Sequence, residues 1–71
     1  MKQDELKKRI QRAAQARGVA WRLVRQGGRH QLWRCGHTKV TIPRHREVNE
    51  ITALAIFKTL EAELGRGWWK R

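Results

Sequence analysis

The chain has 71 residues, with 17 Lys or Arg against 6 Asp or Glu, and a formal net charge of +11 at pH 7. A chain this short is expected to form one domain with a thin core, burying roughly 60% of its unfolded surface, and its four tryptophans and 39% apolar residues exclude a disordered basic tail. A lone Cys35 excludes an internal disulfide, no apolar run approaches the ~20 residues of a membrane span, and the charged N-terminus holds no signal-peptide core, so a cytoplasmic protein is expected.

In chain order, a first helix is expected over 3–17, capped by Asp4, with Leu6, Ile10, Ala13 and Ala14 on one face and Gly18 at its end. Residues 19–26 alternate as a strand, Val19, Trp21 and Leu23 on one side and Arg22 and Gln26 on the other, with Val24 interrupting the pattern. After Gly27 and Gly28 a second strand is expected over 30–35, then a tight connection at Gly36, His37 and Thr38, then a third strand over 39–42 with Val40 and Ile42 inward. Pro43 ends the sheet because it cannot donate a ladder hydrogen bond, and Arg44-His45-Arg46 form a basic loop.

Asn49 caps a second helix over 49–64, in which Ala53, Ile56, Phe57, Leu60 and Leu64 follow one face and Ile51 and Leu54 widen it. Gly65 closes that helix, and a basic, tryptophan-rich tail occupies 65–71. The expected architecture is a single α+β domain over 1–71, with a three-stranded antiparallel meander and both helices on one sheet face.

Charge is distributed unevenly along this order. From Leu6 to Arg46 there are twelve Lys or Arg and no Asp or Glu. The acids Asp4, Glu5, Glu47, Glu50, Glu61 and Glu63 flank that body, several where helices start and the helix dipole favours them. A folded body so poorly neutralised points to a polyanionic partner held through phosphate contacts, weighed against a merely solvated basic face. A membrane surface is not expected, since the basic segment lacks a long apolar helical stripe.

The stretch Gly27-Gly28-Arg29-His30 is the candidate site. Two glycines allow a sharp turn through positive φ and leave amide groups open to a phosphate, and His30 then begins a rigid strand. An imidazole can move a proton near neutral pH while Arg25, Arg29 and Arg34 neutralise a phosphate substrate. The plainer reading is an exposed strand-edge histidine. His45 is a candidate second acid-base group or phosphate ligand, weighed against a solvated loop histidine, and His37 is read as a hairpin tip. His30, Cys35, His37 and His45 do not follow a zinc spacing, so no metal is expected and Cys35 is read as a small, half-buried strand residue. Trp21 and Trp33 are read as core rather than as stacking platforms, whereas Trp68 and Trp69 leave RNA stacking, docking on a partner protein and packing back on the sheet all open.

The block from Trp21 to Gly65 resembles the HicA toxins, small mRNA interferases of prokaryotic toxin-antitoxin systems. The resemblance is carried by Trp21-x-Leu23-x-Arg25-x-x-Gly28-x-His30, Leu32-Trp33, Val40-Thr41-Ile42 leading into Pro43-Arg44-His45, and the helix around Thr52 to Leu60. It implies a double-stranded-RNA-binding-domain-like fold, a metal-independent endoribonuclease acting on mRNA without cofactor, and an acidic HicB-type antitoxin covering the active face. The family's Gly-Ser-His motif, whose histidine is catalytic, falls on Gly28-Arg29-His30, with Arg29 in place of the serine. The longer first helix and the tryptophan-rich tail are further departures.

RNA cleavage without metal is chemically economical, because the 2′-OH is the nucleophile and the protein need only move protons and stabilise the phosphorane. On this reading His30 transfers the proton, and Arg25, Gly28, Arg29, Arg34, Arg44 and His45 contact RNA. The competing class is a binding module that recognises duplex RNA by shape without cutting it. A small DNA-binding domain fits less well, since the helix after Pro43 is too apolar for a major groove.

Overall fold

A computed structural model describes residues 1–70. Its order is α1 (Gln3–Arg17), β1 (Trp21–Gln26), β2 (His30–Cys35), β3 (Thr38–Pro43), α2 (Glu50–Thr59) and α3 (Glu61–Leu64), closed by a 3-10 turn at Trp68–Lys70. The strands form one antiparallel sheet in the order β1-β2-β3. This is the expected α+β meander between helices.

Helix α1 buries Leu6, Ile10 and Ala14, the narrow stripe expected from the spacing. Asp4 is not its cap. Lys2 holds that position without a side-chain bond, because the preceding backbone is already paired: the Gln3 N–H donates to the Arg46 carbonyl at 2.9 Å and Lys2 bridges to Glu47. Asp4 and Glu5 instead occupy the first turn, where the dipole favours them. Gly18, with φ 67°, ends the helix in the left-handed region, and the Val19 N–H returns to the Ala14 carbonyl at 2.8 Å. That cap consumes residues expected in the strand, so β1 begins at Trp21.

The Asn49 side chain does cap α2, accepting from the Thr52 N–H at 2.8 Å. The expected single helix breaks at Leu60 into α2 and α3. Thr59, whose hydroxyl donates back to the Ala55 carbonyl at 2.9 Å, is the kind of residue that bends a helix there. Ala53, Ile56, Phe57, Leu60 and Leu64 are all buried. Ile51 and Leu54 do not widen the stripe: Ile51 is 83% exposed, since at 3.6 residues per turn it lies on the side of α2 opposite Ala53, Ile56 and Phe57.

Against these helices the sheet presents Cys35, Val40 and Ile42, all buried. Cys35 is wholly rather than half buried, and burial, followed by the nearby Glu63 charge, raises its thiol pKa above the ordinary value. Trp21 and Trp33 stack at 4.5 Å on the same side, with the Lys7 ammonium 5.6 Å from the Trp33 ring. Cover stops there. Leu23, expected inward, is 42% exposed because only the Trp21 end of β1 is packed.

The tail takes the third of its open alternatives in altered form. It packs on the helices, not the sheet. Trp68 is buried, its ring edge-on to Phe57 at 5.0 Å, and its indole N–H donates to the Phe57 carbonyl at 2.8 Å. Trp69 stacks on the same phenylalanine at 5.9 Å. The tail is therefore part of the core of a domain too small to leave such area unused.

Candidate nucleic-acid interface

Strand pairing decides which side chains share a face. Cross-strand partners point to the same side, and Arg22 pairs with Arg34, which pairs with Lys39. Along the same side, Arg25 pairs with Leu32 and Leu32 with Thr41, and His30 pairs with Pro43. Trp21, Cys35, Trp33, Val40 and Ile42 occupy the alternate positions, turned toward the helices. The face carrying His30 is thus the one opposite the core, and His30, Arg22, Arg25, Arg34 and Lys39 are all exposed on it.

Arg22 and Arg25 are three residues apart and would fall on opposite faces of a regular strand. A β-bulge between Leu23 and Arg25 brings both to the open face. Val24 is the residue it absorbs, which is why the alternation breaks there, and Val24 is left 46% exposed.

The turn before His30 differs from expectation. Neither Gly27 nor Gly28 has positive φ; the glycines that do are Gly18, Gly36, Gly65 and Gly67. A Cβ on Gly28 would meet open space, so this position is not held by a steric need for glycine. The Gly27 N–H donates to the His30 carbonyl at 2.9 Å, closing the hairpin. The neighbouring strand end fastens it. The Arg44 N–H donates to the Arg29 carbonyl at 2.9 Å, and the Arg44 guanidinium donates to the Gly27 carbonyl at 3.1 Å. Arg44 therefore holds the turn that presents His30, while the Arg29 side chain remains exposed beside it.

His45 lies apart from this face, in a cleft of about 400 Å³ lined with Lys2, Gln3, Asp4, Arg44 and Arg46 at the start of α1. His37 is exposed at the β2–β3 turn, where its N–H and the Thr38 hydroxyl both donate to the Glu63 carboxylate. Cys35 faces the helices and His30 faces away, and no group of three His, Cys, Asp or Glu is gathered among the described residues.

Electrostatically the open face is one-sided. No Asp or Glu occurs in the three strands, and the ion pairs among the described residues are Met1 with Glu47 and Arg9 with Glu5, both outside the sheet. The sequence reading missed Arg22 and Lys39. The two-residue turn at Gly36-His37 already implies Arg34 opposite Lys39, but Arg22 opposite Arg34 depends on the bulge. No helix among the described residues is long and apolar enough to cross a membrane.

Compared with family models, with curated proteins and with solved structures, the chain matches none of them.

Proposed function

We propose that this protein is a HicA-type mRNA interferase: a metal-independent endoribonuclease with a double-stranded-RNA-binding-domain-like fold, held in check by an acidic HicB-type antitoxin. The observation that carries this reading is the position of His30, exposed on an uncovered sheet face together with Arg25 and Arg34. An RNA backbone laid on that face meets one proton-transfer group among fixed cations.

In the proposed reaction His30 accepts the proton of a ribose 2′-OH as that oxygen bonds to the adjacent phosphorus. Arg25 and Arg29, the cations nearest His30 in the strands and the turn, take up the charge that grows on the non-bridging oxygens, while Arg34 stands four positions further along β2. The P–O5′ bond then breaks, and the imidazolium returns its proton to the leaving 5′ oxygen. The products are a 2′,3′-cyclic phosphate and a 5′-hydroxyl. Arg44 acts through the turn, keeping His30 at the strand end by its bond to the Gly27 carbonyl.

The same cations would serve a protein that only binds RNA, and they outnumber the imidazole on the face. Cleavage separates the two readings. Purified protein incubated with single-stranded RNA and EDTA is expected to shorten it, whereas RNA that is bound yet stays full length would favour the binding module.

A further inference from the structure

Resting on that reading, we infer that Arg22, Arg34 and Lys39 form a second phosphate subsite, which grips single-stranded RNA several nucleotides from the bond that is cut. The three cations stand directly opposite one another across all three strands. Like charges at opposed positions destabilise a sheet, and no acid in any of the strands relieves them. Folding alone does not call for such a row, and the bulge in β1 is what brings Arg22 into it. A bound polyanion removes the repulsion and releases counterions as it does so.

The place of the row sets what it can bind. Arg34 lies four positions along β2 from His30, about 13 Å at the rise of an extended strand. That separation corresponds to about four nucleotides of a stacked strand. Between them lies the row Arg25, Leu32 and Thr41, where half-buried Leu32 and Thr41 offer uncharged surface for bases while the backbone of the intervening nucleotides runs on toward Arg34. The row thus acts on substrate affinity and length dependence, apart from proton transfer.

The test uses the double variant Arg22→Gln/Lys39→Gln, which leaves Arg34 in place. In the parent, kcat/KM is expected to rise at least about tenfold when the RNA is lengthened from about two to about ten nucleotides. In the variant this gain disappears, and the change lies in KM. On a His30→Ala background, where the RNA stays intact, the same double substitution is expected to flatten the plot of log Kd against log salt by about 1.4, at about 0.7 per neutralised phosphate of a single strand. The unfolding midpoint of the variant should equal or exceed that of the parent, since repulsion is relieved. An unaltered length gain together with an unaltered salt slope overturns the subsite. If the parent cuts no RNA and the salt slope still flattens, the subsite stands and the nuclease reading falls.

Discussion

His30→Ala is expected to lower the rate of RNA cleavage by about 10²- to 10⁴-fold, the usual contribution of a positioned proton-transfer group. The fold should be untouched. His30 contributes its backbone to the structure, accepting from the Gly27 N–H and pairing with Pro43, while its side chain is exposed and enters none of the hydrogen bonds among the described residues. A substitution of that kind usually shifts stability by no more than about 0.5 kcal/mol. Cleavage rate and urea midpoint measured on the same preparation therefore separate chemistry from folding. A variant that cuts at the parent rate removes His30 from the reaction.

Trp68→Ala should have the largest effect on stability, about 3–5 kcal/mol by comparison with other buried aromatic truncations. The side chain fills the core beside Phe57, and its indole N–H satisfies the Phe57 carbonyl at 2.8 Å, near the end of α2. A domain of this size rarely has more than about 3–5 kcal/mol from its core, so the variant is expected to be largely unfolded at ambient temperature. Trp68→Phe keeps most of the ring and loses the donor, and should cost about 1–3 kcal/mol. Urea unfolding followed by far-UV circular dichroism reads both. An alanine variant with the parent midpoint would show that the tail is not part of the core.

Much of the fold could be read from local pattern. The spacing of Leu6, Ile10 and Ala14 marks the buried stripe of α1, and Asn49 before an apolar run marks a capped helix, because both signals act within a few residues. Features set by distant contacts were hidden. Gln3 and Lys2 are satisfied by residues 46 and 47, which makes a side-chain cap at Asp4 unnecessary. Ile51 is a different case: the 3.6-residue period already sets it on the far side of α2 from Ala53, Ile56 and Phe57, and it faces solvent. Trp68 sits outside any periodic element, and only the position of Phe57 gives it a place to pack.

The site was legible to a similar degree. The position of His30 at the start of β2 and the turn before it follow from the sequence, but the mechanics of that turn do not. Its backbone stays out of the left-handed region, and it is fixed by Arg44, distant in sequence but at the end of β3 that lies beside His30. Val24 breaks the alternation in the sequence, but only the strand register shows the result: a bulge that turns Arg22 and Arg25 to the same side as His30. The cationic face is therefore a product of irregularity in β1 as much as of composition.

In the proposed reaction the nucleophile belongs to the RNA, and the protein supplies proton transfer and positive charge. This is tested most directly with two oligonucleotides of one sequence, one all-ribose and one with 2′-deoxyribose at every position, each incubated with the parent protein in EDTA. The ribose strand is expected to be cut to products ending in 2′,3′-cyclic phosphate while the deoxyribose strand stays intact. Cleavage of both strands, or products ending in 5′-phosphate and 3′-hydroxyl, would contradict it.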